Sequence, residues 1–149
     1  MKKLLLSVAL LATSIGFAQT LESDNFNSLT IGNVGTDFTG ATAGQGMLYT
    51  AASNGTAPTT STNSANTSFQ IVAAGKNSTQ GLQITSPNGD KGSRVAFKAG
   101  LDAAWTTRTA GNNIIELEYD FFTGPVTDSR TQVGMRIYGD EMVAGVATS

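Results

Sequence analysis

Ile114-Ile115-Glu116-Leu117-Glu118-Tyr119-Asp120-Phe121-Phe122 is the stretch on which the fold turns. Ile115, Leu117, Tyr119 and Phe121 take every second position, and Glu116, Glu118 and Asp120 take the positions between. Successive side chains on a β-strand point to opposite faces, so this spacing predicts a long half-buried strand, apolar on one side and acidic on the other. A helix would need apolar residues at i, i+3, i+4 and i+7, and nothing after residue 18 shows that pattern over a useful length.

Shorter runs of the same kind lie on both sides. Phe69 to Ala73, Gly81 to Thr85, Arg94 to Lys98 and Gln132 to Tyr138 read as strands, with weaker ones at Asn25-Phe26, Met47 to Thr50 and Met142 to Val146. Between them stand turn signals: Pro87-Asn88-Gly89-Asp90, Ala110-Gly111-Asn112-Asn113 and Gly139-Asp140. Many short strands joined by turns, without the crossover helices of a parallel sheet, predict an all-β fold: an antiparallel two-sheet sandwich or barrel. From Ser53 to Ser68 twelve of sixteen residues are Ser, Thr or Asn, which predicts a long polar loop with nothing apolar to bury. Gly40 to Gly46 lacks the Gly-Lys-Ser/Thr ending of a phosphate loop and reads as flexible backbone ahead of a strand.

The N-terminus has a different character. Met1-Lys2-Lys3, the apolar run Leu4 to Ala12 and the small-residue site Gly16-Phe17-Ala18 form a signal peptide over residues 1–18, with cleavage expected between Ala18 and Gln19. The apolar run is shorter than the ~20 residues that span a bilayer, and no later stretch is a candidate span, so no membrane span is expected after cleavage. A secreted or cell-surface location follows. Residues 19–149 then form one β-sandwich domain, whose end just after a further strand begins reads as the N-terminal part of a longer protein.

Charge and composition narrow the chemistry. After cleavage seven Lys and Arg face eleven Asp and Glu, a net charge of −4 with no basic block, which argues against nucleic acid and anionic membranes as partners. The chain has no Cys, so neither a disulfide framework nor a lipidated N-terminal cysteine is available. It has no His, which removes Ser-His-Asp and Cys-His catalysis and the common zinc sites.

Five segments carry a resemblance. Ser23-Asp24-Asn25-Phe26-Asn27, Leu29-Thr30-Ile31-Gly32-Asn33 and Gly40 to Gly46 resemble the opening of secreted proteins of the Bacteroidetes, flavobacteria in particular. Asn113 to Phe122 with Val133 to Tyr138 is similar to the central strands of concanavalin-like jelly rolls. The resemblance implies a two-sheet jelly roll exported by the general secretory route and then the type IX system. That cargo usually ends in a sorting domain, and nothing in this chain looks like one.

Glu116, Glu118 and Asp120 are the one constellation that suggests catalysis. Jelly-roll glycoside hydrolases hold two carboxylates about 5–5.5 Å apart for retention, one as nucleophile and one as general acid. Their usual order resembles Glu-x-Asp-x-x-Glu or Glu-x-Asp-x-Glu, whereas this strand reads Glu-x-Glu-x-Asp with no Trp beside it. Alternating acids are also what a solvent-facing strand looks like. The residues therefore predict no catalytic site, and a non-catalytic module that adheres or binds a polysaccharide or cell-surface glycan; the alternative is a carbohydrate-active enzyme using these carboxylates.

The remaining candidates have ordinary explanations. No cofactor is expected; Asn88-Gly89-Asp90 and Asp140-Glu141 offer oxygen ligands of the kind a structural calcium ion takes, but both read as turns. Trp105, the only Trp, suits the edge of a core or a sugar-stacking platform. Asn54-Gly55-Thr56, Asn66-Thr67-Ser68 and Asn77-Ser78-Thr79 match the N-glycosylation pattern, as a Ser/Thr/Asn-rich chain does by chance.

Overall fold

The computed structural model describes residues 19–53, 65–86, 92–122, 132–139, 141–143 and 146–148. Among them the chain forms short antiparallel strands and a single α-helix, an all-β architecture. The strands are β1 (Gly32–Asn33), β2 (Tyr49–Ser53), β3 (Phe69–Val72), β4 (Gly81–Ile84), β5 (Ser93–Phe97), β6 (Glu141–Val143) and β7 (Val146–Thr148). The helix, α1, spans Leu101–Thr106. The signal-peptide segment and the turn Pro87 to Asp90 lie outside the described residues, as does most of the polar loop that begins at Ser53. No helix of the described residues is long and apolar enough to cross a membrane.

The chain divides into two compact units, one made of Asp24–Ala99 with Asp120–Ser149, the other of Met1–Ser23 with Gly100–Tyr119. In the first, β3 sits between β1 and β4, with Ile71 opposite both Gly32 and Leu82 and Phe69 opposite Ile84. A second sheet pairs β2 with β5, Tyr49 opposite Phe97 and Ala52 opposite Arg94. A third pairs β6 with β7.

Alternation decides which side chains go inward. Phe69 and Ile71 point to one face of β3 and are fully buried with Val34, Leu48 is nearly so, and Phe26, Leu29, Phe38, Ala52 and Leu82 pack around them. This cluster takes Phe69 and Ile71 from β3, Leu82 from β4 and Ala52 from β2, with the rest coming from the segments between strands. On β2 the alternate residue Thr50 is also buried, and its hydroxyl donates to the Asp37 carbonyl at 2.6 Å, so the inward polar atom is satisfied. The outer face of the three-stranded sheet is polar: Asn33 and Gln70 are opposite and joined through their side-chain amides, with Gln83 next in the row.

Three segments differ from the sequence expectation. Asn25-Phe26 is a turn rather than a strand, because the Asp24 carboxylate accepts the Phe26 N–H at 2.7 Å and Phe26 adopts φ 60°. Ile114 to Phe122 and Gln132 to Tyr138 enter no ladder with another described strand. The alternation survives in burial all the same: Ile115, Leu117, Tyr119 and Phe121 are 41–59% exposed, against 91% for Ile114 and 89% for Phe122. A period of two fixes which side of an extended chain is apolar, whereas the pairing of that chain is set by residues distant in sequence.

The expected Met47 to Thr50 strand is shifted to β2, and the Met142 to Val146 segment becomes the β6–β7 pair. The short helix was not foreseen, since six residues are too few to show a helical period. Leu-Asp-Ala-Ala favours helix, and Asp102 lies in its first turn. Thr106 and Thr107 end it by donating their hydroxyls to the Ala103 and Ala104 carbonyls at 2.7 and 2.8 Å.

Candidate functional site

Glu116 and Glu118 are exposed in the Gly100–Tyr119 segment. Asp120 belongs to the other unit, where Lys76 donates to both carboxylate oxygens at 2.9 Å. That ion pair is itself exposed, with side chains 64% and 68% accessible, and is worth little in water. Among the described residues no group of three or more His, Cys, Asp or Glu side chains is placed to hold a metal ion. Asn88 to Asp90 and Asp140 lie outside the described residues, and Glu141 lies in β6.

Trp105 is on α1 and half-buried. The Arg108 guanidinium carbon stands 4.1 Å from the centre of its ring, so one aromatic face is already taken by a cation. Arg108 also donates to the Trp105 carbonyl at 3.1 Å and to Asn113 Oδ1 at 3.2 Å, which caps the helix end. A sugar ring stacking on Trp105 would have to use the opposite face or displace the guanidinium.

A better aromatic surface stands on the β2–β5 sheet. Because Thr50 and Ala52 face the core, Tyr49 and Ala51 face outward, and the register places Phe97 and Val95 beside them. Tyr49 and Phe97 are stacked with ring centres 5.2 Å apart and planes 15° from parallel. Phe97 and Val95 remain 41% and 45% exposed. Sequence reasoning looked to the lone Trp and missed this pair, since Tyr49 and Phe97 are 48 positions apart and only the strand register joins them. The alternation within Arg94 to Lys98 did mark Val95 and Phe97 as sharing a face.

Beside this surface the glycine-rich segment is a built loop rather than flexible backbone. Asp37 accepts from the Thr39 hydroxyl and N–H, and from the Ala41 and Thr42 N–H groups, at 2.7–2.9 Å. The Thr39 hydroxyl, followed by the backbone donors, holds the Asp37 carboxyl down at about 2, below its ordinary 3.8. Thr39 bridges to Ala51 on β2, and Gly40, at φ 84°, passes close to Ala51 and the Phe97 ring. At the far end Gln45 accepts the Thr30 N–H at 2.7 Å and donates to the Thr30 and Asn33 carbonyls at 3.0 and 2.9 Å. The signal missed in the sequence was the Asp-x-Thr at 37–39, whose side chains mimic a backbone turn.

Compared with known protein families, curated proteins and solved structures, the chain matches none.

Proposed function

We propose that this chain is an exported, non-catalytic β-sandwich module that binds glycan through the outer face of its β2–β5 sheet. In this reading the signal peptide is removed between Ala18 and Gln19, the domain is a concanavalin-like jelly roll, and export follows the type IX route of flavobacterial cargo. The observation that carries it is the stacked Tyr49–Phe97 pair, in which Tyr49 is half-buried while Phe97, with Val95 beside it, is exposed. Flat aromatic surface suits the C–H face of a pyranose, and such binding needs no titrating group. The shared burial of Val34, Leu48, Phe69 and Ile71 supports two-layer packing. The exposure of Glu116 and Glu118, and the engagement of Asp120 by Lys76, favour binding over hydrolysis.

The test is a panel of β-glucans, galactans and other bacterial and algal polysaccharides, scored by affinity electrophoresis and reducing-sugar release. Retention that falls at least tenfold in Phe97→Ala, with unchanged far-UV circular dichroism, supports the reading. Retention unaffected by both Tyr49→Ala and Phe97→Ala removes the platform. Hydrolysis lost in Glu116→Gln or Glu118→Gln replaces the module with an enzyme.

A further inference from the structure

We propose that the open edge of β4 pairs with β4 of a second copy of this chain, antiparallel about a two-fold axis, to make one continuous sheet. The inference stands on the three-stranded sheet alone and is independent of the glycan reading.

The β1–β3–β4 sheet has two edges, and the fold treats them differently. Beside β1 the edge is closed: Gln45 donates its carboxamide to the Asn33 carbonyl at 2.9 Å and its backbone N–H to the Val34 carbonyl at 2.7 Å. On the β4 side the Thr85 N–H donates to the Ser68 carbonyl at 2.9 Å. Backbone groups that point to a neighbour alternate along an antiparallel strand, so Gly81, Gln83 and Thr85 aim theirs at β3, and Leu82 and Ile84 aim theirs outward. The Gln80 N–H, next in the outward series, is taken by Asn27 Oδ1 at 2.8 Å. The outward groups of Leu82 and Ile84 have no partner among the described residues.

The chemistry of this edge fits a second copy. Proteins usually blunt an open edge with a charge, a proline or a covering segment. Thr79 to Ser86 contains neither a charged residue nor a proline, so two copies meet without like charges opposed. The open groups are also self-complementary. With Gln83 facing the partner's Gln83 across the axis, Leu82 faces the partner's Ile84, and Ile84 faces the partner's Leu82. Every outward N–H then meets an outward carbonyl. Ile84 lies opposite the buried Phe69 and is still 41% exposed, because no strand flanks it; the partner's Leu82 covers it on the same face. On the outer face the row of Asn33, Gln70 and Gln83 runs on into the partner's Gln83. Since the β1 edge is closed, the pairing stops at two copies and does not propagate into a fibre. A pair carries every surface of the domain twice, which makes attachment to a polymer bivalent.

One strand pair is a small contact of the weak, transient class, so a covalent trap reads it best. The chain has no Cys to interfere. In this register Gln83 and the partner's Gln83 form a non-hydrogen-bonded pair with Cα atoms about 4.5 Å apart, within reach of a disulfide. Thr85 faces the partner's Gly81, which leaves it about 14 Å from the partner's Thr85. The purified protein carrying Gln83→Cys or Thr85→Cys is equilibrated in a glutathione redox buffer, and disulfide-linked dimer is measured by non-reducing electrophoresis.

Gln83→Cys should give at least tenfold more dimer than Thr85→Cys. Equal yields mean random collision and overturn the proposal, as does a higher yield for Thr85→Cys. Adding Ile84→Lys to Gln83→Cys sets like charges on both sides of the axis and should lower the yield to that of Thr85→Cys, with unchanged far-UV circular dichroism. An undiminished yield overturns the register, and the comparison of the two cysteine variants decides the matter even if the lysine variant does not fold. Gln83→Cys that stays monomeric but cross-links to an added Thr79–Ser86 peptide carrying the same substitution gives the edge to a foreign strand and overturns pairing between copies.

Discussion

Asp37 and Thr39 form a closed pair: the Thr39 N–H and hydroxyl both donate to Asp37 Oδ1, at 2.9 and 2.7 Å. With Ala41 and Thr42 on the other oxygen, one carboxylate orders the loop that passes beside Ala51 and Phe97. A group whose folded-state pKa is depressed contributes stability that is full above its unfolded value and lost as pH falls through the folded value. For Asp37 the window runs from 3.8 down to about 2. Exchange of the Ala41 and Thr42 amides should quicken across that window, relative to the Val34 amide, after correction for the intrinsic pH dependence of exchange. Asp37→Asn should show faster exchange already at neutral pH; slow exchange in this variant would mean that the charge does not order the loop.

Gly44 should not tolerate alanine. A Cβ there would lie 2.2 Å from the Val34 carbonyl oxygen, a backbone atom that cannot swing aside. Gly44→Ala should cost about 1–3 kcal/mol by overpacking, read from the shift in urea midpoint. Gly134, where a Cβ would meet nothing within 4 Å, is the control, and Gly134→Ala should be close to neutral. A neutral Gly44→Ala would show that the Gly44 and Val34 backbones are further apart than described.

Core truncation should be graded by burial. Phe69→Ala removes a fully buried ring from the cluster and should cost about 3–5 kcal/mol, while Ile71→Val removes one methylene and should cost about 1 kcal/mol. Since a domain's whole stability is about 5–15 kcal/mol, the first change brings the fold near its threshold. Chemical denaturation of both variants checks the ranking. An Ile71→Val loss as large as that of Phe69→Ala would point to a core arranged differently.

Glu116→Gln and Glu118→Gln should leave stability within about 0.5 kcal/mol of the parent, as exposed substitutions usually do. Urea titration supplies the measurement. A loss above 2 kcal/mol in either would reveal a buried partner for that carboxylate.

The sequence showed the strands that bury a face and missed the groups that hydrogen-bond locally. Phe69 to Ala73, Gly81 to Thr85 and Arg94 to Lys98 were expected, and β3, β4 and β5 lie within a residue of those limits, because alternation against a core is a strong, local signal. Phe26 and the Gly40 to Gly46 loop were misread for one shared reason: Asp24, Asp37 and Gln45 bind backbone groups through their side chains, and such bonds leave no periodic trace. Ile114 to Phe122 kept its two-sided character without a ladder among the described strands, since pairing depends on a partner distant in sequence. The Tyr49–Phe97 platform was hidden for the same reason.

The stack of Arg108 on Trp105 bears on any spectroscopic measurement of unfolding. The chain's only indole lies in the unit that contains Gly100–Tyr119, whereas Val34, Leu48, Phe69 and Ile71 lie in the other. Its fluorescence therefore reports release of a guanidinium from the ring, and its transition belongs to α1 and the turn that follows. Circular dichroism of the strands follows a different population. Coincident midpoints would establish that the two units melt as one cooperative block; separated midpoints would give each its own free energy, and a single value from emission alone would be assigned to the wrong part of the molecule.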